Sequence, residues 1–270
     1  MKHSEQMELS SHDNETQRLV AGYAKTGRTW MRYMLAHALS VEHNLGINID
    51  LTNVYELVPN DAAGLVPGQP TFQYGSRVPK IEMTHRAYTS EYSGSHTVFL
   101  TRDPRDVTVS HWLHHKNQLG KFDGDLNDFI RSPLGISSFV AHLETWAPNL
   151  EAEQILTYEA MRQNPDAALK RTNELLEIGL SDKSIRHAVD AGEINQMRKV
   201  EVEHGIAGHN YDRENPEALR VRRGEVGGYV DYMQPLGQTY VQDALQELSG
   251  TAAAIISMTG YYDPDLTQRL

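Results

Sequence analysis

Apolar residues in this chain fall into short runs and helical stripes that alternate along it. Arg18-Leu19-Val20-Ala21-Gly22-Tyr23 contains an unbroken apolar run, the pattern of a strand covered on both faces. From Thr29 to His43 the apolar positions Trp30, Tyr33, Met34, Ala38 and Val41 recur at helical spacing. Strands are predicted over 80–84 and 96–101, and the second runs into Asp103-Pro104, a helix-start signal for a helix reaching about Lys116. A helix over 133–149, a strand over 153–158 and a helix over 166–178 continue the alternation. That order predicts an α/β fold on a central, mainly parallel sheet.

Two stretches break the pattern. Residues 44–73 are irregular and rich in Asn, Pro and Gly, with only 51–57 helix-like, and read as a wall or lid. After Ser181 the chain reads as mostly helical, except for a polar, highly charged stretch over about 203–228. That stretch has few apolar anchors and is expected to be mobile until a ligand orders it. Residues 1–17 are polar and acidic and read as a flexible N-terminal arm, leaving 18–270 as a single domain.

Charge narrows the function classes. The 36 acidic residues against 25 basic ones give a net charge of −11, which argues against a partner that is nucleic acid or an anionic membrane. The same balance permits a cationic small-molecule partner, with Glu56, Glu82, Asp123 and Asp125 in segments suited to a pocket. Cysteine is absent, which removes disulfides, thiolate metal sites and cysteine nucleophiles. No apolar run has the ~20 residues of a membrane span, and 267–270 carry no lipidation box, so the expected location is cytoplasmic.

The candidate chemistry starts after the first strand. Gly22-Tyr23-Ala24-Lys25-Thr26-Gly27-Arg28-Thr29 has nearly the glycine spacing of a phosphate-binding loop, with Arg28 at the usual lysine position. Such a loop points several backbone N–H groups at one anion, and Lys25 adds a mobile positive charge. By itself the spacing also fits an ordinary strand-turn-helix capped by Thr26 or Thr29.

Further motifs decide between these readings. Tyr23-Ala24-Lys25-Thr26-Gly27-Arg28-Thr29-Trp30 resembles the Y-P-K-S-G-T-T-W loop of PAPS-dependent sulfotransferases, where PAPS is 3′-phosphoadenosine-5′-phosphosulfate. Residues Val98 to Ser110 resemble that family's 3′-phosphate strand and helix, Tyr158-Glu159-Ala160-Met161 with Asn164-Pro165 its Y-E-D-M…P segment, and Arg222-Arg223-Gly224 to Tyr229 its R-K-G-x-x-G-D-W element. The resemblance runs from about Leu19 to Tyr229. It implies a P-loop-type three-layer α/β/α fold and sulfuryl transfer from PAPS to a hydroxyl or amine of a small-molecule acceptor, with 3′,5′-bisphosphoadenosine as product.

The resemblance also distributes roles. His85, after the second strand, matches the histidine of the family's K-T-H and is the expected general base, a task suited to an imidazole near neutral pH. Lys25 matches the lysine that offsets charge on the leaving phosphate, with Thr26, Gly27, Arg28 and Thr29 completing the donor loop. Arg102, Ser110, Arg222, Arg223 and the Gly224 amide match contacts to the 3′-phosphate, and Trp30 and Tyr158 match the aromatics beside adenine. Asp103 and Asp106 offer carboxylates to Arg102 and Arg105, and the Arg105 pair is expected to be a plain surface pair.

The chain departs from the pattern in places. Met83 replaces a lysine, Arg28 a threonine, Gly228-Tyr229 an Asp-Trp, and Ile194 stands where a second adenine-covering aromatic is common. No metal is expected, although His111, His114 and His115 share the spacing of helical metal sites. Monomer and homodimer are both open. The rival readings are a magnesium-dependent P-loop kinase of a small metabolite and a nucleotide-binding protein without turnover.

Overall fold

A computed structural model describes residues 16–64 and 67–261. Residues 1–15 of the expected arm and the C-terminal residues 267–270 lie outside them. Gln17, placed in that arm from sequence, joins the sheet: its carbonyl accepts the His96 N–H at 2.9 Å.

Four strands form a parallel sheet. β1 (Arg18–Gly22) lies between β2 (Ile81–Thr84) and β3 (His96–Thr101), and β4 (Ile155–Thr157) borders β3. In chain order the helices are α1 (Arg28–Glu42), α2 (Pro104–Leu113), α3 (Leu126–Arg131), α4 (Ile136–Trp146), α5 (Tyr158–Gln163), α6 (Pro165–Leu176), α7 (Asp182–Ala191), α8 (Ile194–His204), α9 (Pro235–Leu245) and α10 (Gly250–Ser257).

Side-chain alternation along the strands builds two cores. Val20, Val98, Leu100 and Leu156 face one side, where α1, α6, α7 and α8 cover them. Leu19, Ala21, Phe99 and Ile155 face the other, packed by α2, α4, α9 and α10. The apolar runs are unbroken because both faces are buried, and the result is the expected α/β/α layering.

Sequence boundaries shift where tertiary packing overrides local pattern. Only Val54–Glu56 of the helix-like stretch 51–57 winds, as a single 3₁₀ turn. The predicted helix to Lys116 becomes α2 plus a π-helical turn over His114–Gln118. The predicted helix from 133 begins at Ile136, because at Gly135 the chain crosses α3 so closely that a Cβ would sit 2.2 Å from the Phe129 and Ile130 carbonyl oxygens.

The polar stretch after α8, expected to lack anchors, is tied down by two buried carboxylates. Glu201, fully buried, accepts from Tyr211 Oη at 2.5 Å, Arg220 N at 2.7 Å and Val221 N at 2.7 Å. Asp106 accepts from Gly227 N and Tyr229 N, each at 2.8 Å. The Arg-Arg-Gly segment therefore hangs between two fixed points.

Packing also makes the protein acid-sensitive. Tyr23 has ring contacts with buried His111 and His142, each with centroids 5.4 Å away, and burial holds the two imidazoles down to about 3 and about 4. In the unfolded chain both return to an ordinary histidine value, so between that value and the folded one the unfolded state binds more protons. Stability is full above about pH 6.5 and falls as pH drops, by up to ~1.4 kcal/mol per pH unit for each histidine. Thermal midpoints from pH 7.5 to 5 should decline, and His142→Phe should flatten that slope.

Candidate active site

All four strands deliver a site residue from their carboxyl ends. Lys25 lies in the loop after β1, His85 follows β2, Arg102 follows β3 and Tyr158 follows β4. Chain order reverses across β1, which has β2 on one side and β3 on the other, and in open α/β sheets such a switch point opens a crevice. A cavity of about 290 Å³ occupies it, lined by Lys25, Trp30, His85, Arg102, Ser110 and Tyr158 among others.

The loop after β1 is shaped for an anion. Lys25 takes the left-handed conformation, φ 72°, and Gly27 follows at φ 103° as the N-cap of α1, with no side chain capping the helix. A Cβ on Gly27 would meet the Tyr158 ring at 2.9 Å, so glycine answers both the backbone and the close approach. The backbone ladder opens with Met31 N–H to Gly27 O at 3.0 Å, and among the described residues the amides of 25–30 bond no protein acceptor. Uncapped amides at a helix start are an anion site.

Positive charge concentrates around this loop. Burial pushes the Lys25 ammonium well down, and Arg220, Arg222 and Arg102 press in the same direction while Glu201 opposes them. Cations thus crowd one desolvated place within a chain of net charge −11, an arrangement that a bound anion relieves.

On the β3 side, Arg102 and Ser110 share the cavity wall with Arg222, Arg223 and Gly224. Arg102 bonds Asp106 Oδ2 at 3.2 Å and the Glu225 carbonyl at 2.8 Å, stacks 4.1 Å over Tyr158, and leaves its buried Nε without a partner. Arg222 donates to Tyr232 Oη at 2.7 Å, and Arg223 pairs with Asp231. Arg105 pairs with Asp103 at 2.5 Å, a pair expected from sequence at the surface but found with its carboxylate buried. Gly224, at φ 68°, packs on Ile194, where a Cβ would come within 2.9 Å.

An apolar wall completes this half. Trp30 donates its indole N–H to Gly192 O at 2.7 Å and meets Tyr158 edge-on at 5.9 Å. Ile194, at the start of α8, lines the same cavity with Met197.

His85 stands across the cavity, solvent-accessible through it yet ringed by protein atoms. Those surroundings, and then Arg28, hold its imidazole down to about 4, with nearby Asp61 opposing the effect. The ring is therefore neutral at physiological pH and free to take a proton.

Several expectations are corrected. Thr26 is fully buried and its hydroxyl donates to Tyr23 O at 2.8 Å, so its side chain closes the loop and leaves the cavity to its neighbours. Glu56, Glu82, Asp123 and Asp125 line none of the cavity; its carboxylates are Asp106 and Glu225. Of the three α2-region histidines only His114 lines the cavity, while His111 and His115 bond each other at 3.1 Å. No cluster of three or more potential metal ligands occurs among the described residues.

Sequence reasoning missed Arg32, Glu201, His209 and Arg220, and assigned Asp106 only a pairing role. The signal for Arg32 was an arginine on the apolar stripe of α1; the others depend on contacts between distant segments.

A sulfotransferase domain model matches residues 15–252. Cytosolic sulfotransferase 16 of Arabidopsis thaliana is 24% identical over 245 residues, covering 80% of this chain and 71% of that protein. Cytosolic sulfotransferase 12 of the same plant is 25% identical over 234 residues, covering 77% and 69%. Among solved structures, mouse sulfotransferase SULT7A1 complexed with PAP superposes with a TM-score of 0.63 at 17% identity, covering 91% of this chain and 90% of that one. Retinol dehydratase in complex with androsterone and inactive cofactor PAP gives 0.56 at 16% identity, covering 86% and 81%.

Proposed function

Because the chain belongs to the PAPS-dependent sulfotransferase family, we propose that it transfers the sulfuryl group of PAPS to a hydroxyl or amine of a small acceptor, with His85 as general base and Lys25 offsetting charge on the leaving phosphate. The observation that carries this reading is the single cavity in which a neutral imidazole at the end of β2 faces a lysine and free amides at the end of β1.

The residues present fit the donor. Lys25 with the amides of 25–30 suits a 5′-phosphosulfate; Arg102, Ser110, Arg222, Arg223 and the Gly224 amide suit a 3′-phosphate. Trp30, Tyr158 and Ile194 form the apolar wall for adenine, so Ile194 takes the place of a second aromatic. The unbonded Arg102 Nε and the cations Lys25, Arg102 and Arg222 are the groups such a ligand satisfies.

PAPS supplies the activated sulfuryl group. His85 would take the acceptor proton as the new S–O or S–N bond forms and the bond from sulfur to the 5′-phosphate oxygen breaks, so that 3′,5′-bisphosphoadenosine leaves and no positive charge is left on the attacking atom. Lys25 Nζ faces the side where negative charge grows, an interaction stronger in the transition state than before it. No helix among the described residues is long and apolar enough to cross a membrane, and the Arabidopsis relatives are named cytosolic, in keeping with a cytoplasmic enzyme.

Thermal stability tests the donor site. Bisphosphoadenosine at ~100 times its Kd should add ~2.7 kcal/mol of apparent stability. Arg102→Ala should weaken that binding at least ~10-fold, since hydrogen bonds to charged groups contribute ~1.5–3 kcal/mol. Stabilisation by ATP with magnesium, and none by bisphosphoadenosine, would overturn the reading in favour of the kinase.

A further inference from the structure

Beyond Lys25 and the donor-side arginines, the cavity holds a second set of cations. Arg28, Arg32 and Arg220 line it beside His85, and among the described residues none of the three is ion-paired with a carboxylate. Arg28 Nε and Arg220 Nε are buried with no hydrogen-bond partner. Arg220 Nη2 stands 3.2 Å from the ring nitrogens of His209. Arg32, 5% exposed, bonds only neutral groups, Val58 O at 2.9 Å and Asn60 Oδ1 at 2.5 Å, and lies 4.2 Å over the Tyr55 ring.

All three act on the His85 imidazole, which on the sulfotransfer reading marks the acceptor side. Arg32 is held by the irregular wall of residues 54–60, and Arg220 by the segment after α8, away from the Ser110 and Gly224 corner. The remaining lining there, Asn60, Gln69 and His209, is polar and uncharged. Two buried carboxylates lie near the set without pairing with it: Asp61, behind the wall, accepts from Tyr92 Oη at 2.7 Å and is approached by Arg86 at 3.5 Å, and Glu201 is taken up by Tyr211 Oη and the Arg220 and Val221 N–H groups. Three guanidiniums without a carboxylate partner in a largely desolvated space call for an anion, and a bidentate fork suits carboxylate or phosphate.

We propose that the acceptor is a small hydroxy compound bearing a carboxylate or phosphate, which Arg28, Arg32 and Arg220 grip so that its hydroxyl faces His85. This rests on the sulfotransfer reading and reverses the expectation of a cationic acceptor drawn from net charge. The overall charge of −11 belongs to the whole molecule, whereas the guanidiniums set the field in the cavity. The polar, cationic lining also disfavours a purely apolar phenol or sterol, whose binding would leave the buried arginines unsatisfied.

The test titrates protein saturated with bisphosphoadenosine, following thermal midpoint and heat of binding. Two matched sets serve as probes: 4-hydroxybenzoate, phenol and tyramine; and glycerol 3-phosphate with glycerol. The anionic member of each set should bind at least ~10-fold tighter than its neutral partner, the margin of one charge-assisted hydrogen bond, and tyramine should be weakest. Arg28→Thr and Arg220→Met, each checked for bisphosphoadenosine saturation, should reduce that preference to less than ~3-fold.

Equal affinity within both sets, no measurable binding by either anionic probe, tighter binding of tyramine, or a preference that survives both substitutions overturns the inference. Failure of bisphosphoadenosine to bind the unaltered protein overturns the sulfotransfer reading instead, so the two failures are distinct.

Discussion

Replacing His85 by asparagine should lower kcat by ~10²- to 10⁴-fold, the usual contribution of a positioned general base. Asparagine retains size and polarity but cannot take a proton in the working pH range, so the loss isolates base catalysis from packing. His85 is none of the groups proposed to hold the two phosphates, and bisphosphoadenosine affinity should therefore change by less than ~3-fold, a small fraction of what a charged contact contributes.

The pH dependence sharpens this prediction. In the free protein, burial and the Arg28 charge hold the His85 imidazole at about 4. A bound donor brings negative charge into the cavity that His85 lines, which raises the value towards that of an ordinary histidine. With donor saturating, kcat/KM for the acceptor should fall as pH drops through a range between about 4 and ~6.5. The asparagine variant should lose that acid limb. An unchanged limb, or kcat within ~3-fold of the unaltered enzyme, would remove His85 from the mechanism.

Glu201→Ala should have the largest effect on stability, ~3 kcal/mol or more, because it leaves three donors without their acceptor in a fully buried place. The same carboxylate opposes the concentration of positive charge at Lys25, and it fixes Arg220 and, through Val221, the approach to Arg222. Bisphosphoadenosine affinity should fall as well, by ~10-fold or more, since the arginines must then be ordered at the moment of binding. Glu201→Gln keeps one acceptor oxygen for Tyr211 and Arg220 but turns an amide towards the Val221 N–H, so its losses should be intermediate. Urea unfolding read beside nucleotide titration measures both effects, and a near-neutral Glu201→Ala would show that this segment is anchored by other contacts.

Most of the residues proposed to meet the donor were legible in the sequence. Lys25, Gly27, Arg102, Ser110, Arg222 and Arg223 lie in compact motifs, because one bound anion must be met by consecutive amides or by side chains at a strand end. His85 was legible for the same reason, as the first residue beyond a strand. The turn of the Thr26 hydroxyl back to Tyr23 O was not legible, because sequence does not show which way a hydroxyl points within a loop. The anchoring of the stretch after α8 was missed because its acceptors, Glu201 and Asp106, are charged residues that look solvated in sequence and become buried only when the distant loop closes over them.

The alternation of apolar runs and stripes determined the α/β layering, and local motifs determined the donor loop, because both depend on residues close together in the chain. Only the tertiary structure decided the charge of the cavity wall beside His85. Arg28, Arg32 and Arg220 come from the first helix and from a segment nearly two hundred residues later, and their convergence without carboxylate partners arises from packing that no local pattern encodes. Electrostatics in a desolvated cavity follow the few groups that line it, while composition reports the sum over a surface facing water.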